Sequence, residues 1–144
     1  MTITNDISEL STSLAAAPLG HYSQAISHNG LLYISGQLPI TPSGELELGD
    51  IKAQTTQTLQ NLEAILTEGN SAINRVLKVT IFISDISLWA DANAAYAEFF
   101  GDHKPARSAV PTKDLPKTYQ RPTNNLPKTF KIRLGASWGI LETT

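Results

Sequence analysis

The clearest alternation of apolar and polar positions lies between Asp50 and Glu68. Ile51, Thr55, Leu59, Leu62, Ile65 and Leu66 recur at three- and four-residue intervals, the period of one face of an α-helix. Asp50 stands where an N-cap side chain accepts from the first unpaired N–H groups, and Gly69 stands where a helix stops. A second stripe, Trp89, Ala92, Tyr96 and Phe99, predicts another helix, capped by Ser87 and ended by Gly101. Its aromatic residues keep helical spacing and so read as core rather than as a cofactor box.

Period-two alternation marks the strands. Val76 to Ile83 puts Leu77, Val79, Ile81 and Ile83 on one face and Lys78 and Thr80 on the other. The runs His21 to Ile26 and Leu31 to Ser35 flank Asn29-Gly30, a strong hairpin signal. Thr41-Pro42-Ser43-Gly44 marks a turn. Arg107 to Thr112 reads as a strand with Pro111 near its end. Phe130 to Ala136 reads as the last strand, with Lys131, Arg133 and Gly135 sharing one face.

Between these two strands, residues 111–129 hold four prolines and read as a loop. Leu115-Pro116-Lys117-Thr118 recurs as Leu126-Pro127-Lys128-Thr129. That duplication is too short for a repeat architecture and reads as a local insertion at about 113–129. Residues 1–17 are Ser/Thr/Ala-rich without a period and are expected to form a flexible arm.

The order ββ-α-β-α-ββ predicts an α+β fold, a mixed β-sheet with two helices packed on one face, in a single domain over residues 18–140. The opposite face would carry Tyr33, Val76 and Phe82. No third layer is left to cover it, so self-association is expected.

Composition narrows the chemistry. The chain has 144 residues, a net charge of -2 and no cysteine. Disulfides, thiolate ligands and a cysteine nucleophile are thereby excluded. The charge balance argues against nucleic-acid or membrane attraction. His21, His28 and His103 are too scattered to suggest a metal site. The N-terminus carries Asp6 and Glu9, with neither the basic start nor the apolar run of a secretion signal. The expected location is the cytoplasm.

Several ordered segments resemble the RidA/YjgF family of enamine/imine deaminases, some of whose members carry an endoribonuclease L-PSP label. They are Gly20-His21-Tyr22-Ser23-Gln24-Ala25, Ile34-Ser35-Gly36-Gln37-Leu38-Pro39, Gln54 with Leu59-Gln60-Asn61-Leu62, Val76-Leu77-Lys78-Val79-Thr80-Ile81-Phe82, Asn93 to Phe100, and Pro105-Ala106-Arg107-Ser108-Ala109-Val110. The resemblance spans about residues 18 to 136. It implies a chorismate mutase-like fold, a homotrimer with a central barrel and clefts between subunits. No cofactor and no metal are expected. The implied reaction is hydrolysis of small 2-imino acids to 2-keto acids and ammonia.

The resemblance also assigns residues. Arg107 matches a carboxylate-binding arginine, and a guanidinium fork pairs two oxygens at once. Tyr22 matches a tyrosine at the cleft edge, with His21 in place of the usual proline before it. With Arg107 it is the candidate catalytic residue; a tyrosine packed on a strand edge is the alternative reading. Ser35 and Gly36 match a strand end whose backbone polar groups face the substrate, Asn93 matches an asparagine on the second helix, and Ala109 offers a backbone N–H. Gly135 stands where many members have a glutamate that positions the attacking water, and Arg133 where an acidic residue is common. Tyr119, Gln120 and Arg121, in the inserted loop, are candidates to replace the lost group.

Three functions follow: an imine deaminase, a non-catalytic binder of small carboxylates or regulatory protein, and an RNA-cleaving enzyme. The last has little support, since no paired histidines could serve as acid and base.

Overall fold

The computed structural model describes residues 6–113, residue 115, and the backbone of 132–135. It contains β1 (Ser8–Leu10), β2 (Ala25–His28), β3 (Leu31–Ile34), α1 (Ile51–Glu68), β4 (Lys78–Ile83), α2 (Trp89–Phe100), β5 (Ala106–Pro111) and β6 (Ile132–Gly135). Among the described residues the strands form two three-stranded sheets: antiparallel β1-β2-β3, and β5-β4-β6 with β4 parallel to β5 and antiparallel to β6. Both sheets and both helices feed one core. Ala25, Leu32 and Ile34 of the first sheet join Val79, Ile81 and Ile83 of β4, and these pack with Leu59, Leu62, Ile65 and Leu66 of α1 and with Ala92, Tyr96 and Phe100 of α2.

The apolar stripe predicted for α1 is buried along its length. Asp50 caps it, accepting from the Ala53 N–H at 2.9 Å. The stop differs from expectation. Gly69 has φ −82, an ordinary value, and the left-handed position is Asn70 at φ 58. Gly69 is required for space instead: a Cβ there would run into the Leu32 side chain from β3.

Asn29 and Gly30 take φ 51 and 76, the paired positive values of a type I′ hairpin turn. The strand before them starts at Ala25, later than expected, because Gln24 serves a different purpose. Its side chain is buried, accepts from the Thr12 N–H at 2.7 Å and donates to the carbonyls of Thr12 and Ala16 at 3.1 and 2.9 Å. This clamp holds the segment after β1. The expected flexible arm over 1–17 therefore needs correction, because residues 8–10 are a strand paired to β2 and Ala15 is buried. Pairing across about seventeen residues leaves no local trace in a Ser/Thr-rich stretch.

Two further expectations shift. Val76 is buried rather than on the open face, while Leu77, placed with the core residues, is 44% exposed. The cause is a 3-10 turn at Ile73–Arg75, which delays the strand to Lys78. The His103 ring, at 2.7 Å from the Val76 carbonyl, fixes that corner. At the other end of β4, Asp85 and not Ser87 is the capping side chain. It accepts from the Ser87 N–H at 2.8 Å and caps the 3-10 turn Ile86–Leu88 that leads into α2. These hydrogen bonds from Ser87 hold its carboxyl below the usual carboxylate range.

Strand β5 is exposed at all six residues and forms one edge of its sheet. Tyr33 and Phe82, expected on the uncovered face, are half-buried. Residue 113 and Leu115 apart, the 113–129 loop, with Tyr119, Gln120 and Arg121, lies outside the described residues.

Candidate functional site

The parallel register sets Arg107 beside Val79 and Ser108 beside Thr80. Val79 is buried against the helices, so Arg107 stands on the helix-covered face of the sheet. Its guanidinium meets α2 there. Arg107 Nη1 donates to Asn93 Oδ1 at 2.7 Å. The same guanidinium carbon lies 4.8 Å from the centre of the Trp89 ring and 4.7 Å from that of Tyr96, within cation–π range.

Trp89, Asn93 and Tyr96 follow i, i+4, i+7 spacing, one helix face. The sequence reading assigned Trp89 and Tyr96 to the core alone. They are core residues that also flank the charge, Tyr96 buried and Trp89 half-buried. Burial pushes the Tyr96 phenol up to about 12, with the Arg107 charge opposing it. The phenol is thus neutral at ordinary pH, and its buried oxygen has no hydrogen-bond partner among the described residues.

Ala109 follows on the same face of β5, opposite Ile81. The Ala106 N–H bonds the Leu77 carbonyl and the Thr112 N–H bonds the Ile83 carbonyl. In a parallel ladder these bonds come from alternate residues, so the N–H groups of Arg107 and Ala109 point away from β4 toward the open edge. A guanidinium and an outward N–H at a sheet edge make an arrangement that can hold an anion with two oxygens.

Tyr22, Ser35 and Gly36 gather elsewhere. Tyr22 and Gly36 line a shallow hollow with Leu19, Gln24, Gln37 and Leu38. The Tyr22 oxygen accepts from the Leu19 N–H at 3.0 Å, leaving its own proton to donate. Ser35 is already hydrogen-bonded within the chain. Its backbone is occupied, the N–H by the Gln24 carbonyl and the C=O by the Gln37 amide, and its hydroxyl donates to the Ser23 carbonyl at 2.6 Å. The second lone pair of the Ser35 carbonyl and the lone pairs of its hydroxyl remain to meet a ligand. Asn61, fully buried on α1, donates to the Leu38 and Ile40 carbonyls at 3.1 and 2.7 Å. It fixes the loop behind Gly36, a role invisible in the sequence beyond a polar residue on an apolar stripe.

Among the described residues, no hydrogen bond, ion pair or ring contact joins the Arg107 group to the Tyr22 group. Position 135 is separate from both in orientation. Gly135 pairs with Thr80, which pairs with Ser108, so the row Ser108, Thr80, Gly135 lies on the opposite face of the sheet from Arg107. On that face Lys78 Nζ donates to Ser108 Oγ at 2.7 Å. Among the described residues no group of three or more His, Cys, Asp or Glu side chains could hold a metal ion.

The ordered segments that converge on this arrangement match the endoribonuclease L-PSP family over residues 12–120. The chain belongs to this family, the RidA/YjgF/RutC family. It is 49% identical to a RutC family protein of Pyrococcus horikoshii over 107 residues, covering 74% of this chain and 85% of the relative. It is 40% identical to the mitochondrial protein MMF1 of Saccharomyces cerevisiae over 110 residues, 76% of each chain. Among solved structures, the Rid-family protein YyfA of Yersinia pestis superposes with a TM-score of 0.78 at 37% identity, over 90% of this chain and 95% of that one. TdcF of E. coli, solved with bound serine, superposes with a TM-score of 0.76 at 28% identity, over 88% and 94%. The family match stops at residue 120, short of β6, whereas the resemblance read from the sequence extended to 136. Gly135 and Arg133 therefore lie beyond it.

Proposed function

We propose that this protein hydrolyses small 2-imino acids, and their enamine tautomers, to 2-keto acids and ammonia, with Arg107 as the carboxylate anchor. The observation that carries the reading is the Arg107 guanidinium, oriented by Asn93 at the exposed β5 edge. The serine bound in TdcF is itself a small α-carboxylate, which supports the ligand class. In the proposed reaction the substrate carboxylate pairs with the guanidinium, and the Ala109 N–H takes a second contact. Water adds to C2 of the imine to give a carbinolamine. Its nitrogen takes up a proton and leaves as ammonia while the C2 hydroxyl loses its proton and becomes the carbonyl.

Among the described residues, the groups touching Arg107 are an amide and two rings, none of them a general base. Rate acceleration on this reading comes from orientation of a substrate with a low intrinsic barrier. Tyr22 is the proposed proton donor, and Ser35 and Gly36 the proposed wall beside the imine. Among the described residues no contact joins these to Arg107, and on this reading a second copy completes the cleft. The exposed β5 edge, with Val110 39% exposed, supports the homotrimer we propose. The cytoplasm is the proposed location, although the yeast relative is named as mitochondrial.

The test is generation of 2-keto acid from 2-aminoacrylate. Arg107→Ala should lower kcat/KM roughly 10- to 100-fold, the worth of hydrogen bonds to a charged group. Equal rates for the two proteins would end this reading.

A second reading, a non-catalytic carboxylate binder, is favoured by glycine at position 135, which leaves no acid or base at that point of the Ser108–Thr80 row. Retained binding without turnover, and no gain from Gly135→Glu, would select it.

A further inference from the structure

We infer that Trp89 and Tyr96 are positioning residues for Arg107: the two rings clamp the guanidinium so that its fork is set before a carboxylate ligand arrives. The inference rests on the carboxylate-anchor reading of Arg107 and adds the residues that make the anchor effective.

The geometry carries it. Positions 89 and 96 lie about 10.5 Å apart along the axis of α2, from a rise of about 1.5 Å per residue. The guanidinium carbon lies within 4.8 Å of one ring centre and 4.7 Å of the other, so one charge touches two rings that come from different turns of one helix face. Asn93, midway on the same face, takes one Nη1 proton at 2.7 Å. Rings and amide together restrict the orientation of the group. Both rings are anchored in turn. Tyr96 is buried and stacks with Phe100 at 4.5 Å between ring centres, and Trp89 packs against the core. The charge thus rests on a rigid support although the strand that bears it is exposed.

The consequence is energetic as well as geometric. A free arginine must freeze several torsions to grip a carboxylate in two places, which weakens binding. Here that ordering precedes the ligand. With two rings and Asn93 already against the guanidinium, the N–H groups left over are the ones open to a ligand. A ligand carboxylate pairs best with these groups in the guanidinium plane, the geometry of a bidentate pair.

The test uses the full-length protein and 2-oxobutanoate as probe. Calorimetric titration should show Trp89→Leu binding about three- to tenfold more weakly, the range for one partly desolvated cation–π contact, with Trp89→Phe restoring most of the loss. In the ligand-free protein, the Arg107 Nε–H proton should resonate upfield from ring currents and return downfield in Trp89→Leu. A merely structural role for Trp89 would move neither in this pattern. Binding unaltered by Trp89→Leu, with the fold intact by circular dichroism, overturns the positioning role while leaving the anchor reading standing. If the unaltered protein does not bind 2-oxobutanoate, the anchor reading falls and takes this inference with it.

Discussion

Arg107 on β5 and Asn93 on α2, fourteen residues apart in the chain, are joined by a 2.7 Å hydrogen bond from Nη1 to Oδ1. The bond ties the edge strand to the helix that precedes it and gives the guanidinium a fixed rotation. Asn93→Ala should weaken 2-oxobutanoate binding by about fivefold, since a hydrogen bond at an exposed site is worth about 1 kcal/mol. Unfolding stability should change by less. Calorimetric titration beside urea denaturation separates the two effects.

Tyr96 gives a prediction of opposite sign for stability. Its hydroxyl is buried without a partner among the described residues, so Tyr96→Phe should stabilise the fold by about 1 kcal/mol, read as a higher urea midpoint. A pH dependence accompanies it. The folded phenol titrates at about 12 against an ordinary 10.0, so the folded state holds its proton more tightly than the unfolded chain. That contribution is fully present below pH 10 and is lost as pH rises toward 12. The stability difference between the native protein and Tyr96→Phe should therefore widen in favour of phenylalanine over that window.

Gly69 tests close packing separately from backbone conformation. Its φ is ordinary, yet a Cβ would collide with Leu32. Gly69→Ala should cost roughly 1–3 kcal/mol through overpacking. Leu32→Ala in the same chain should recover part of that cost. Additive losses in the double variant would contradict the contact.

Gln24 holds the N-terminal segment with three hydrogen bonds from a buried side chain. Gln24→Ala should destabilise the protein by about 2–3 kcal/mol, because the Thr12 and Ala16 backbone groups lose their partner. Hydrogen exchange should quicken at residues 8–16 well before the α1 amides respond.

Much of the fold is legible in the sequence because its determinants are local. The α1 stripe, the Asp50 cap and the Asn29-Gly30 turn each depend on partners within a few residues, and each stands as expected. The core side of β4 follows from alternation alone. What misled was reading a residue type without its surroundings. Gly69 looks like a left-handed stop but serves Leu32, and Ser87 looks like a cap but donates to Asp85.

The candidate site divides in the same way. The sequence by itself determined that this chain carries the ordered family segments, an arginine in Pro105-Ala106-Arg107-Ser108, and no cysteine chemistry. Such features are properties of residue order. Only the tertiary structure decided that β1 pairs with β2, that the strands divide into two sheets, and that Trp89 and Tyr96 enclose Arg107. It also set Gly135 on the face opposite Arg107, through the register with Thr80. These depend on which distant segments share hydrogen bonds and on which face each side chain emerges. Periodicity fixes a face within one element, but only packing says what that face meets.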